Sequence, residues 1–346
     1  MTNPEGVALY ALCLAVGILP VIAFLVALVL LDSYKLVRLR SVLLVVALGG
    51  LVALSSLVLN PALREALRLN PKSLTRYVAP IVEEVLKGLV IVAALRSRRI
   101  GFLVDAAIWG FAIGAGFAMV ENIHYSIVLG RLDLALWIIR GFGTAVMHGG
   151  TTAIMAVTSK LLTDRAGSQR LHLFVPGLAF AILIHSAFNH FYLSPTHSAL
   201  TVIVALPLLF SVIFRLSENA TQTWLGVGFD TDQELLRIIK EGRVSQTQVG
   251  RYLRELRGRF AAETVVDMLC LIRLHLELSL KAKGILLMQK AGFAPPAMPG
   301  VEGRLKELRY LEGTIGKTGM LALHPIFHMS DRDLWQLHLL QGRRRK

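Results

Sequence analysis

Seven runs of apolar residues constrain this chain more than any other feature: about 7–31, 41–60, 78–95, 102–128, 134–160, 171–193 and 199–216. Each is close to the roughly 20 residues that a helix needs to cross the hydrocarbon core of a bilayer. In lipid every backbone polar group must be satisfied internally, so runs of this kind are expected to span as helices. Composition points the same way, with 54% hydrophobic residues, 17% charged residues and a mean hydropathy of +0.60. The first run reads as a span, because MTNPEG lacks a basic segment and the run behind it is too long for a removable leader. The two cysteines, Cys13 and Cys270, offer neither a disulfide framework nor a cysteine zinc site.

Beyond Arg215 the character changes. Residues 217–346 carry 20 of the 37 Lys and Arg and 14 of the 23 Asp and Glu, with no long uncharged run. In 263–283 the residues Glu263, Asp267, Arg273, Glu277 and Lys281 recur at near-helical spacing and make one polar stripe, which describes a helix with one buried face. PPAMPG at 295–300 is a breaker between helical segments. The expected fold is therefore all-α: a polytopic membrane bundle of about seven transmembrane helices over residues 1–216, then a soluble, mostly helical C-terminal domain over 217–346.

Orientation follows from basic residues in the short loops. The first loop has Lys35, Arg38 and Arg40, the third Arg96, Arg98 and Arg99, and the fifth Lys160, Arg165 and Arg170. The fourth has only Arg131 and the sixth none, while the second dissents with Arg64, Arg68, Lys72 and Arg76. The balance places the N-terminus outside and the C-terminal domain in the cytoplasm.

Charges at mid-bilayer are costly and usually face the bundle interior, yet here they are numerous. The third run holds Glu83, Glu84 and Lys87; the fourth holds Asp105, Glu121, Asn122 and His124; the fifth holds Arg140 and His148; the sixth ends with His185, Asn189 and His190. In the inferred orientation Glu83, Glu84 and Glu121 lie about two turns from the outer surface. His185 and Asn189 fall within the last turns of an outward-running helix, and His148 lies nearer the middle. Separate helices thus deliver polar groups to one level in the outer half, as a single site requires. Lys87 is i,i+4 from Glu83 and i,i+3 from Glu84, so it can pair with either. Two adjacent carboxylates in low dielectric do not both ionise readily, and such asymmetry serves general acid–base chemistry.

These residues resemble the PrsW family of intramembrane proteases, within the wider set that includes the type II CAAX prenyl endopeptidases. The motifs that carry the likeness are Glu83-Glu84-x-x-Lys87, Phe117-x-x-x-Glu121, a lone His148 and His185-x-x-x-Asn189, over roughly residues 78 to 195. CAAX-type relatives usually have His in place of the second motif's Glu; the Glu here fits the PrsW branch and leaves metal-dependent and metal-free chemistry both open. The resemblance implies hydrolysis of a peptide bond in a membrane-protein substrate, such as an anti-sigma factor, near the outer face of a bacterial plasma membrane. By the same resemblance Glu83 or Glu84 activates water and Lys87 tunes the pair. His148 and His185 polarise the carbonyl or, with Glu121, ligate a metal such as zinc, and Asn189 steadies the oxyanion. Residues 217–346 lie outside the resemblance and could sense, recruit a partner or mediate oligomers.

Blander readings exist for each piece. The carboxylates and Lys87 could be a packing ion pair, and interior histidines are often simply hydrogen-bonded. Asp105 and His190 are read as structural. Glu121 and His124 make one ExxH spacing where a di-iron bundle needs two. EGTIGKTG (312–319) lacks the first glycine of a phosphate loop, and Pro325 separates His324 from His328. The basic terminus 342–346 suits lipid headgroups, and no nucleic-acid partner is expected. A transporter using the carboxylates as a proton or cation relay, or a non-catalytic scaffold, are the rival classes. Against the first, no internal repeat is evident.

Overall fold

The computed structural model describes residues 4–34, 36–129, 133–294, 299–323 and 340. Lys35, Arg131, the His324/His328 pair, residues 295–298 of the breaker and the basic end 342–346 lie outside the described residues. Among the described residues every regular element is helical. The chain divides into two compact units, Met1–Ser217 and Glu218–Lys346.

The first unit contains α1 (Pro4–Leu31), α2 (Leu39–Ala66), α3 (Ala79–Arg96), α4 (Leu103–Leu129), α5 (Val146–Ala166), α6 (Val175–Asn189) and the start of α7 (Pro195–Lys240). Five helical segments are long and apolar enough to cross a membrane: Glu5–Leu31, Leu39–Ala66, Leu103–Leu129, Leu171–Asn189 and Pro195–Lys240. The chain is a multi-pass membrane protein. The two remaining helices of the expected seven miss that description for a physical reason. α3 carries Glu83, Glu84, Lys87 and Arg96, and α5 is diluted by His148, four threonines, Lys160, Asp164 and Arg165.

α4 is the central post, buried along nearly its whole apolar stretch. Glycines bring its neighbours to backbone distance. A Cβ on Gly114 would intrude on the His148 carbonyl, and one on Gly116 would intrude on the Val46 carbonyl, which is the close approach that small residues permit between membrane helices. Phe24, Phe111 and Phe210 stack and tilt against one another and tie α1 and α7 to this post.

Two stretches of π-helix interrupt the regular winding, Leu74–Val78 immediately before α3 and Ile139–Ala145 immediately before α5. The first is entered through Asn70, whose side chain accepts the Ser73 amide with Pro71 at the first helical position, an ordinary helix start. Single-turn π stretches often sit beside functional sites, and these two precede the helices that carry Glu83 and His148.

In the second unit α8 (Gln248–Leu256), α9 (Ala262–Lys290) and α10 (Val301–Leu323) follow the end of α7. α9 buries Met268, Leu271, Ile272, Leu278, Ile285 and Leu286, the face opposite the charged stripe. Lys283 is buried with its Nζ donating to Asp232 at 2.7 Å, and α10 breaks at Gly316, whose φ is 70°.

Candidate active site

Six of the seven side chains expected at the site meet between α3, α4, α5 and α6. Glu84 and Lys87 are fully buried, and Glu83, His148 and His185 are 6%, 1% and 2% exposed.

The assembly starts at Glu84. Its Oε1 accepts from Lys87 Nζ at 2.8 Å and from His185 Nδ1 at 2.9 Å, with the Thr151 hydroxyl at 3.4 Å. A charge in low dielectric persists only when it is paired and hydrogen-bonded, and this oxygen has both forms of support. Lys87 also donates to His148 Nδ1 at 3.0 Å and lies 4.1 Å from the centre of the Phe117 ring. The phenylalanine of the Phe117-x-x-x-Glu121 motif thus lends its negative face to the ammonium and packs against His148.

The imidazoles of His148 and His185 stand edge to face, 4.8 Å between centroids. Because Glu84 can only accept when ionised, the His185 proton belongs on Nδ1, and the lone pair of Nε2 faces Glu83 Oε2 at 3.9 Å. Glu121 closes the far side. Its Oε2 lies 3.3 Å from His148 Nε2 and 3.2 Å from Arg140 Nη2. Arg140 is itself held by Asn122 Oδ1 at 2.9 Å and by the Tyr125 ring.

The three carboxylates are therefore not equivalent. Glu84 has Lys87 and Glu121 has Arg140, but Glu83 has no Lys or Arg partner among the described residues. It accepts instead from the neutral Asn60 Nδ2 at 3.1 Å. Glu83, His148 and His185 each offer a ligand atom within 4.8 Å of the others.

Asn189 stands apart from this group. Its Nδ2 donates to the Thr75 carbonyl at 2.9 Å, while Ser186 donates to the Arg76 carbonyl at 2.6 Å and the His190 ring meets Tyr77 edge-on. Three consecutive residues of the π stretch are thus each engaged by the end of α6. Asp105, at the other end of α4, accepts the Gly101 and Phe102 amides as a helix-start acceptor, and His124 lies against Tyr125.

Sequence reasoning did not single out Asn60 or Thr151 and left Arg140 without a role. Thr151 is three residues from His148 and so on the same face. Asn60 could have been noticed as the one polar side chain in the run 57–63 of α2.

Two imidazoles and a carboxylate are the protein ligands of many hydrolytic zinc centres, and the residues present fit a divalent metal. The donor atoms lie within mutual reach. The hydrogen bond from His185 Nδ1 to Glu84 is also the outer contact that orients a ligating imidazole.

Buried carboxylates and imidazoles at ligand distance, inside a multi-pass helical bundle, define a membrane-embedded protein with an ionisable site in its spans. Residues 38–216, just over half of the chain, match the model of the PrsW family of intramembrane metalloproteases, and the chain belongs to that family. It is an intramembrane protease. No curated protein and no solved structure matches it.

Proposed function

We propose that this protein cuts a peptide bond of a membrane-protein substrate near the extracytoplasmic side of a bacterial plasma membrane, with Glu83 as the residue that activates water. One observation carries the assignment. Of the three carboxylates at the site, Glu83 is the one left without a fixed cation, and it faces two imidazoles. A carboxylate matched to Lys or Arg is held in its charged form and is a poor proton acceptor, whereas Glu83 is free to take and return a proton.

Glu84 holds the His185 proton on Nδ1 and aims Nε2 toward Glu83. Lys87 balances Glu84 and supports His148. His148 and His185 polarise the substrate carbonyl, and Glu121, secured by Arg140, fixes His148. When held by His148 and His185, with Glu121 beside His148, a divalent metal such as zinc would acidify water and polarise the carbonyl, with Glu83 left as the base and not a ligand. In the step assigned to Glu83, one water proton passes to Oε2 as the water oxygen bonds to the scissile carbonyl carbon. The same proton leaves on the amine when the C–N bond breaks.

The topology proposed here has seven spans, counting α3 and α5 among them, with the N-terminus outside and residues 218–346 as a cytoplasmic helical domain that mediates oligomers or recruits partners. The polar faces of α3 and α5 point into the bundle, so their low hydropathy does not oppose insertion. An anti-sigma factor, a membrane protein with an outer domain to be removed, suits a site at this depth.

The test is a comparison of new N-terminal peptide ends in membranes from cells expressing wild type or Glu83→Gln at equal abundance. Ends that vanish in the variant identify the substrate and the bond. Identical sets of ends under every stress applied would overturn the assignment.

A further inference from the structure

Asn60 reaches the site from α2, a helix that contributes no other side chain to it. Its Nδ2 donates to Glu83 Oε1 at 3.1 Å, the direction that an ionised carboxylate requires. The other end of the same amide, Oδ1, is buried and has no hydrogen-bond partner among the described residues. Buried polar atoms are rarely left so, and each such atom in a folded protein asks for an explanation.

Asn60 precedes Pro61 inside α2. Asn60 and Glu83 both sit about one to two turns from the outer ends proposed for their helices, at Ala66 and Ala79. Apolar residues surround it along α2, Val58 and Leu59 on one side and Ala62 and Leu63 on the other. An unpaired amide oxygen in such surroundings is worth keeping only if a donor arrives there.

We infer that Asn60 is a catalytic residue of this protease, its Oδ1 accepting a hydrogen bond from the water molecule that Glu83 deprotonates. A water has two O–H groups. Glu83 takes the proton of one, and the other needs an acceptor that holds the oxygen lone pair toward the scissile carbonyl. Asn60 supplies that acceptor on the amide whose nitrogen already fixes Glu83, so one side chain sets the base and the nucleophile in a common frame. The second water proton stays on oxygen through the addition and ends on the new carboxyl group.

This inference rests on the assignment of Glu83, and the test separates the two. The full chain in lipid nanodiscs is assayed on a peptide that spans the most abundant Glu83-dependent cleavage. Glu83→Gln must abolish turnover, or the assignment of the base fails on its own. With that control in place, Asn60→Leu, close in size and compatible with an apolar span, is expected to lower kcat by about 10- to 100-fold, the effect of losing a partner that orients a reacting group. KM should move by less than about twofold, because ground-state binding is untouched. A variant with wild-type kcat, or one whose loss lies in KM alone, overturns the inference and leaves Asn60 a packing or substrate-contact residue. If Asn60→Leu does not accumulate folded, Asn60→Ala decides by the same criteria.

Discussion

Arg140 reaches Glu121 from the neighbouring helix, Nη2 3.2 Å from Oε2, with side-chain exposures of only 14% and 16%. The guanidinium therefore fixes the carboxylate that faces His148, and the pair should behave as a unit. Arg140→Ala is expected to lower stability by about 2 kcal/mol, because it leaves Glu121 charged and unpaired in a largely buried place. Arg140→Ala with Glu121→Gln should recover most of that loss. Thermal unfolding of the purified protein in mild detergent checks both, and additive losses in the double variant would refute the coupling.

Lys87 presents a harder case, since neither it nor Glu84 has any exposed side chain. Lys87→Met removes the cation and should cost about 3–5 kcal/mol, the range for breaking a buried pair from one side. Adding Glu84→Gln should restore folding while leaving cleavage low, because His185 then loses the carboxylate that orients it. Stability and turnover measured on the same preparations separate the two effects.

The sequence carried the helical fold openly, through run length and hydropathy, and it carried the convergence of the charged residues through depth. Glu83, Glu84, Glu121, His148 and His185 could be set at comparable heights from the ends of their runs, and in the structure they meet. What the sequence could not carry is pairing across helices. Asn60 has Ser56 and Arg64 four residues away but no carboxylate at helical spacing, so nothing local points it toward Glu83, and Arg140 is informative only beside Glu121 and Asn122. Asn189 was expected near the oxyanion by resemblance, and its amide is bound to Thr75. That partner exists because the Ala79 amide is given to Leu74 and Pro80 has no N–H to give, while the donor comes from another helix that local spacing does not mark.

Close backbone approach gives a third expectation. Gly114→Ala would drive a Cβ into the His148 carbonyl, and overpacking of this kind typically costs about 1–3 kcal/mol. Gly226→Ala is the control, with no atom within 4 Å of the added Cβ. Within α7 it should gain about 0.5–1 kcal/mol from reduced backbone freedom. Unfolding midpoints that fall for both would point to a general intolerance and not to the α4–α5 contact.

Metal content offers a readout independent of turnover. Wild-type protein is expected to retain about one divalent ion per chain, and His148→Ala and His185→Ala to lose at least tenfold in affinity. Elemental analysis of protein purified without chelators makes the comparison. Equal content in all three would remove His148 and His185 as ligands.

Topology can be read from the native cysteines. Cys13 is buried and Cys270 is exposed, so a membrane-impermeant maleimide should label only Cys270, and only after the cells are opened. Labelling of intact cells would place residues 218–346 outside and reverse the proposed orientation.

The ties from Ser186, Asn189 and His190 to Arg76, Thr75 and Tyr77 make the length of one short segment a structural parameter. A π stretch holds one more residue than α-helical winding would over the same rise. Deleting a single residue from 74–78 would return the backbone to ordinary winding. It would also turn the anchored residues against Glu83 and Glu84 by about 100°, one residue's share of a helical turn. The carboxylates would then face away from His185 in a protein that looked better folded than before. The distance in residues from Thr75 to Glu83 is thus part of the active site, although no atom in between performs chemistry, and natural variants should substitute freely there but neither gain nor lose a residue.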